Sequence, residues 1–165
     1  RSEGSSRGVE LINTAADWNT LSIETLADDL VEEFIPGTEI TVAVIEYKGD
    51  LEVLPILELV PKNDFYDYEA KYTEGMTDFI LPARLDEKSC QQCRLLARQA
   101  HLALGCSGVS RVDMRIHPEK GPFVLEVNTV PGLTALSDLP AQANAAGYEF
   151  TELIMILLET ACTNK

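Results

Sequence analysis

The spacing of apolar residues changes along the chain, and the changes predict a mixture of helices and strands. Residues 17–34 repeat apolar side chains at the interval of an amphipathic helix, and Pro36 and Gly37 end that pattern. Two extended segments follow at 38–45 and 51–60, joined by a short polar turn that is typical of a hairpin.

The rest of the chain alternates between loops, helices and a second hairpin. Pro55 interrupts the second extended segment and predicts an edge or irregular strand. Residues 61–82 keep no sustained period and are predicted to form loops. Helices are predicted at 86–104, 137–146 and 150–162. The predicted fold class is α+β, a mainly antiparallel sheet flanked by helices.

The second hairpin, residues 108–132, places chemically active side chains on one face. Pairing its strands across the turn at 118–121 puts Asp113 opposite Glu126, and it puts Arg111 opposite Asn128. Because side chains alternate along a strand, the other face is then apolar throughout. That face is predicted to hold Val112, Met114 and Ile116 against Val127, Leu125 and Phe123.

Two carboxylates directly opposite each other repel, so the pair suggests a bound cation. Mg²⁺ and Mn²⁺ prefer carboxylate and amide oxygens, which Asp113, Glu126 and Asn128 offer. Arg111 beside them can meet a phosphate or carboxylate through its planar fork. The alternative is a solvent-facing polar sheet on which Arg111 neutralises Asp113.

Two other segments have groups suited to binding anions. Gly132 can expose its backbone N–H to a ligand, and Ser137 lies near a predicted helix start. A plain helix cap is as good an explanation for Ser137. In residues 65–72, Lys71 can neutralise phosphate charge and Tyr72 can orient a substrate, although aromatic anchoring of a loop explains the segment too.

Composition narrows the partners and the compartment. The net charge of −14 excludes general attraction to a nucleic-acid backbone, and no apolar run is long enough to span a membrane. Cys90 and Cys93 have a redox or zinc spacing, but no second pair accompanies them. Free thiols and the lack of an apolar signal segment predict a cytoplasmic location.

Taken together, these residues resemble the ATP-grasp superfamily and, within it, the D-alanine–D-alanine ligase family. The order and spacing of four stretches follow that family along nearly the whole chain. They are Glu3-Gly4-Ser5-Ser6, residues 65–72, Arg111-Val112-Asp113 and residues 125–132. The resemblance implies that residues 1–37 are a remnant of the central ATP-grasp lobe, with the phosphate-covering loop, and that 38–165 form the C-terminal lobe.

The family resemblance implies ATP-dependent joining of two D-alanines through an acylphosphate, for peptidoglycan synthesis. Two Mg²⁺ or Mn²⁺ ions would bind through Asp113, Glu126 and Asn128, and Arg111 and the Gly132 N–H would stabilise developing charge. Ser5 and Tyr72 would help to activate or position the substrates, and Gly132 and Ser137 would bind them. ATP would be bound by Glu32, Glu33, Phe34, Ile35, Glu39, Phe65 and Lys71.

Departures from the family qualify this expectation. Glu33 stands where the family often has a lysine, although that contact is largely through backbone. Tyr72 favours a dipeptide product, since ester-forming relatives usually lack it. The family's N-terminal substrate domain is not in the chain, so we expect little or no activity from it alone. A homodimeric parent, another carboxylate–amine ligase and a non-catalytic nucleotide- or metal-binding module remain open.

Overall fold

A six-stranded antiparallel sheet forms the centre of the protein in this computed structural model, which describes residues 6, 9–20, 29–63, 68–73 and 75–163. The strand order is β4-β3-β1-β5-β6, and β2 pairs with β1 as well. The strands are β1 Thr38–Tyr47, β2 Asp50–Val53, β3 Leu57–Pro61, β4 Thr77–Ile80, β5 Val109–His117 and β6 Gly121–Asn128.

Helices cover both faces of this sheet. They are α1 Ala15–Thr20, α2 Tyr68–Tyr72, α3 Glu87–Ala103, α4 Asp138–Ala145 and α5 Phe150–Thr163. The last three confirm the predicted helices. Helix α3 begins where it does because Asp86 accepts a hydrogen bond from the Ser89 backbone N at 3.0 Å, which satisfies one free N–H of the first turn.

Alternation along β1 builds two separate cores. Ile40, Val42 and Val44 point to one side, where they pack with Cys93 and Ala97 of α3. On the opposite side, Ala43 and Ile45 pack with residues of α4 and α5, notably Leu139, Ala143, Leu153 and Ile156. Full burial of an aliphatic side chain contributes about 1.5–3 kcal/mol, so this central strand fixes both layers.

The second face is covered only in part. Helices α4 and α5 lie over the later half of β1, from Ala43 onward, and leave the earlier half of that face to polar side chains. Antiparallel pairing with β5 sets those side chains side by side. The pairs are Glu39 with Arg115, Thr41 with Asp113, and Ala43 with Arg111.

Ala43 is also where β1 changes neighbours. It pairs with β3 up to Thr41 and with β2 from Val44. The freed N–H of Ala43 donates to Oε1 of the buried Gln142 at 2.7 Å, and its carbonyl accepts from Leu54 N at 2.9 Å. Helix α4 is therefore attached to the sheet by a hydrogen bond as well as by apolar contact.

The predicted helix at 17–34 is wrong over most of its described length. Helix α1 ends at Thr20, residues 21–28 lie outside the described residues, and 29–36 have no regular structure. Leu30 is 81% exposed and Val31 58% exposed, so no described element packs over most of the expected apolar face. An amphipathic pattern stabilises a helix only when that face packs against another element.

Residues 51–82 contain more structure than their pattern predicts. The expected irregularity at Pro55 is confirmed, because the segment divides into β2 and β3. The loop expected at 61–82 instead holds α2 and strand β4, which pairs with β3. Four-residue β4 is too short for alternation to distinguish it from a loop, and its pairing partner is supplied by the tertiary fold.

Candidate functional site

The register of the second hairpin is as predicted at its chemically active end. Asp113 lies opposite Glu126, and Arg111 lies opposite Asn128. A bulge follows, so that Met114 pairs with Val124 and the predicted pairing toward the turn is wrong by one residue. Leu125 is the extra residue and is 49% exposed. The bulge adds one residue to β6 between the apolar turn end and the polar site.

Asp113 is fixed by donors from three directions. Thr41 Oγ1 donates to Oδ1 at 2.6 Å. Arg111 forms a two-pronged ion pair, with Nε 2.9 Å from Oδ1 and Nη2 2.7 Å from Oδ2. Asn128 Nδ2 adds a bond to Oδ2 at 3.2 Å. A carboxylate held in this way keeps one orientation, as a group that positions a ligand must.

Arg111 joins the sheet to helix α4. Its Nη1 lies 3.0 Å from Oδ2 of Asp138, the first residue of that helix, whose side chain is 8% exposed. Burial of Arg111 disfavours its charged form, but hydrogen bonds to Asp113 and the charges of Asp113, Asp138 and Glu126 outweigh this and raise its pKa. Arg111 is therefore a permanent cation at the base of the site.

The donor set on this face fits a hard cation. Asn128 Nδ2 lies 3.1 Å from Glu126 Oε1, so the amide bridges the two facing carboxylates. If the amide rotated by half a turn, its oxygen, which can be a metal ligand, would take the place of the nitrogen. Among the residues that the structure describes, no group of three or more His, Cys, Asp or Glu gathers at one point. The set suits Mg²⁺, which takes few protein ligands and completes its shell with water and phosphate.

Gly132 and Ser137 lie in direct contact beside this cluster. A Cβ on Gly132 would come within 2.7 Å of Ser137 Oγ. Ser137 occupies the N-cap position of α4, but its side chain forms no capping bond and instead accepts from Thr134 N at 3.0 Å. Helix capping therefore does not account for the Ser137 hydroxyl, which lies beside Gly132 and directly precedes Asp138, the partner of Arg111.

Three of the residues expected to contact a nucleotide, Glu33, Phe34 and Glu39, contact the second hairpin. Glu32, Glu33, Phe34 and Ile35 fall in the irregular segment 29–36. Lys120 of the hairpin turn reaches Glu33 at 3.9 Å. Glu39 precedes Thr41 by two residues on β1, so its side chain lies on the face that also carries Asp113.

Four other candidates cannot be placed in the site. Ser5 and Phe65 lie outside the described residues. Lys71 and Tyr72 end helix α2, and the structure describes their backbone only. Their roles stay predictions.

Three residues of the site were missed by sequence reasoning: Thr41, Asp138 and Arg115. Asp138 directly follows Ser137 at a helix start, which was a usable signal. Arg115 continues the alternation of Arg111 and Asp113 and was visible in the same way. Thr41 gave no signal, because its bond to Asp113 spans 72 residues.

Comparison with known proteins decides the family. A family model described as D-ala D-ala ligase C-terminus matches residues 1–159. The chain belongs to this D-alanine–D-alanine ligase family. The predicted resemblance is thereby confirmed, and so is the α+β fold class with its antiparallel sheet and flanking helices.

Curated members of the family cover the chain almost completely. It is 45% identical over 166 residues to a D-alanine–D-alanine ligase from Fervidobacterium nodosum, covering 98% of the chain and 52% of that relative. The corresponding Thermotoga maritima protein is 45% identical, with 98% and 54% covered. The chain spans about half the length of the curated relatives it matches.

Solved ligase structures share the fold. The ATP complex of the Bacillus anthracis D-alanine–D-alanine ligase gives a TM-score of 0.73 at 30% identity, covering 94% of this chain and 50% of that one. The Coxiella burnetii enzyme gives 0.77 at 27% identity, with 96% and 42% covered. The VanG D-Ala:D-Ser ligase from Enterococcus faecalis gives 0.62 at 34% identity, with 78% and 37% covered.

No helix within the described ranges is long and apolar enough to cross a membrane.

Proposed function

We propose that the protein containing this chain joins two D-alanines into D-alanyl-D-alanine at the expense of ATP, for peptidoglycan synthesis. One observation carries the proposal. Asp113 and Glu126 face each other beside a permanently charged Arg111, in a chain of the D-alanine–D-alanine ligase family. Facing carboxylates and a fixed guanidinium suit phosphoryl transfer, which depends on positioning and charge stabilisation.

The reaction proceeds in two steps. A carboxylate oxygen of the first D-alanine attacks the γ-phosphorus of ATP, the bond to ADP breaks, and an acylphosphate forms. The amine of the second D-alanine then attacks the acyl carbon and loses a proton, and phosphate leaves with the electron pair of the broken C–O bond. Arg111 and the Gly132 N–H stabilise the negative charge that develops in these steps.

Asp113, Glu126 and Asn128 are the proposed ligands of two Mg²⁺ or Mn²⁺ ions. The bound ions would neutralise the charge of the nucleotide phosphates. Arg111 and Thr41 hold the Asp113 carboxylate in place, so it would already be aligned when the ions bind. Glu126 is more exposed and supplies the second negative charge.

The remaining roles follow the family motifs. Glu32, Glu33, Phe34 and Ile35 would contact adenine, Glu39 the ribose and Lys71 the phosphates, and Phe65 would also bind ATP. Ser5 and Tyr72 would position the substrates, and Ser137 would bind the carboxylate of the second D-alanine beside Gly132. We also propose the lobe boundary after residue 37, a cytoplasmic site of action and a homodimeric parent.

A coupled assay tests the proposal. The full-length gene product should release ADP only when both D-alanine and Mg²⁺ are supplied, and D-alanyl-D-alanine should appear in equal amount. The isolated 165-residue chain should release little or none. ADP release that is independent of D-alanine would contradict the proposed function.

A second candidate is ligation of D-alanine to another amino acid or a hydroxy acid. The likeness to the VanG D-Ala:D-Ser ligase favours it, because that enzyme shares the fold at an identity as high as the other solved ligases. A panel of D-alanine, D-serine and D-lactate as second substrates separates the candidates. Preference for D-serine or D-lactate by kcat/KM would replace the first proposal.

A further inference from the structure

Arg115 contacts three successive parts of the chain where β1 begins. Its Nη1 lies 3.2 Å from Glu39 Oε2, and its Nη2 donates to the Gly37 carbonyl at 3.0 Å. Its guanidinium carbon stands 4.8 Å from the centroid of the Phe34 ring, the distance of a cation–π contact. One planar group therefore contacts an aromatic ring, a backbone carbonyl and a carboxylate.

The position of Arg115 follows from the sheet. Arg115 and Glu39 are direct partners on β5 and β1, next to the Thr41–Asp113 pair on the same face. Their side chains are 15% and 17% exposed, so the ion pair is largely shielded from water. Arg115 Nε is buried, and within the described residues no acceptor reaches it. Buried donors without a hydrogen-bond partner are rare in folded proteins, so the burial of Arg115 has to be explained by its other contacts.

Among the described residues, the segment that Arg115 holds has few other contacts. Leu30 and Val31 are 81% and 58% exposed, and Phe34 is 49% exposed. The Lys120–Glu33 pair at 3.9 Å also reaches the segment, but both side chains are exposed and such pairs contribute little. The contact between Phe34 and the partly buried guanidinium thus ties this segment to the sheet.

We propose that Arg115 is a positioning residue of the nucleotide site, which sets the base-binding segment and the ribose-binding carboxylate at once. This inference rests on the proposed function, under which residues 32–35 contact adenine and Glu39 the ribose. Because one rigid group orients both, a change at Arg115 alters base and sugar recognition together. A lysine keeps the charge but loses the planar fork that contacts Phe34, Gly37 and Glu39 simultaneously.

Equilibrium binding of ATP and 2′-deoxy-ATP to the full-length gene product tests the inference. Removing a group that orients a metal ligand typically costs about 10–100-fold in affinity or activity, and we take the lower end of that range as the scale for a group that orients nucleotide contacts. We expect Arg115→Met to weaken ATP binding by about 10-fold or more, and to reduce the preference for ATP over 2′-deoxy-ATP. Arg115→Lys should fall between Arg115→Met and wild type. Arg94→Met, which removes an exposed arginine of α3, should bind like wild type.

The outcomes separate this inference from the proposed function. An unchanged affinity and an unchanged ATP to 2′-deoxy-ATP ratio in Arg115→Met would overturn the positioning role. If Arg115→Met fails to fold, the ratio in Arg115→Lys decides in the same way. If the wild type binds ATP but does not ligate D-alanine, the proposed function is contradicted. The role of Arg115 is then still decided by the ratio of the affinities for ATP and 2′-deoxy-ATP in the variants. A wild type that binds no ATP would overturn both.

Discussion

Asp113 and Glu126 lie directly opposite each other on β5 and β6, yet Arg111 hydrogen-bonds to Asp113 through two nitrogens. The two carboxylates are therefore unequal. Asp113 is neutralised and fixed, whereas Glu126 is exposed and is held by the Asn128 amide. The net negative charge available to a cation comes mainly from Glu126, and Asp113 contributes a well-oriented oxygen.

Arg111→Met should be strongly destabilising. The substitution leaves Asp113 and the nearly buried Asp138 without the cation that lies between them. Removing one partner of a buried ion pair costs about 3–5 kcal/mol, so we expect the free energy of unfolding in urea to fall by that order. Arg98→Met, which loses only a 3.4 Å surface contact to the Leu51 carbonyl, is the matched control.

The cause can be separated from lost packing by a second substitution. Adding Asp138→Asn to Arg111→Met removes one of the two uncompensated charges and should recover part of the lost stability. If the double variant is no more stable than Arg111→Met, the loss is not electrostatic.

Gly132→Ala should disturb the proposed substrate site by a steric route. The new Cβ would lie 2.7 Å from Ser137 Oγ, which is itself held by Thr134 N. Overpacking of this kind costs about 1–3 kcal/mol. We expect a lower melting temperature and a raised KM for the second D-alanine, measured by the coupled assay.

The double variant Gly132→Ala with Ser137→Ala distinguishes the two effects. Removing the hydroxyl relieves the clash, so the melting temperature should return toward that of Ser137→Ala alone. The KM should stay raised, since the group proposed to bind the carboxylate is gone. Recovery of KM along with stability would mean that Ser137 does not bind the substrate.

Glu58 and Arg84 give the fold a pH dependence that does not involve Asp113 or Glu126. The side-chain hydrogen bond from Arg84, with Nη2 2.5 Å from Oε1, lowers the pKa of the Glu58 carboxyl from its usual 4.5. Because the pKa of Glu58 is lower in the folded protein than in the unfolded chain, its ionised carboxylate stabilises the fold above pH 4.5. This contribution is lost as the pH falls through the folded-state pKa.

Glu58→Gln should therefore be less stable than wild type at pH 7, and the difference should narrow as the pH falls below 4.5. Melting temperatures recorded from neutral to acid pH measure this. Arg84→Met removes the partner of Glu58 instead, and it should lose the same pH-dependent contribution to the melting temperature. A wild type and a Glu58→Gln variant with parallel pH profiles would contradict the role of this pair.

The pairing of Asp113 with Glu126 was predictable because the register that keeps one face of the hairpin apolar also sets these two residues opposite each other. The bulge at Leu125 was not predictable. Several apolar residues surround it, so the apolar pattern fits strand pairing with or without the extra residue. Arg115 escaped notice for a different reason. Its partner Glu39 is 76 residues away, and only the fold reveals that β1 and β5 are neighbours.

The irregular segment 29–36 shows the limit of helical periodicity. Its apolar residues repeat as in a helix, but the contact between Phe34 and Arg115 ties it to the sheet in another conformation. Tertiary contacts with residues distant in sequence leave no local signal, and they override weak helical propensity.

The Glu126→Gln variant tests the central claim most directly, because it removes one charge without changing size. Calorimetry of ADP binding with and without Mg²⁺, on the full-length gene product, compares it with wild type. If Glu126 binds the cation, wild type gains affinity for ADP on adding Mg²⁺, and the variant loses most of that gain while its magnesium-free binding is unchanged. Equal magnesium-dependent affinity in the two proteins would contradict the assignment.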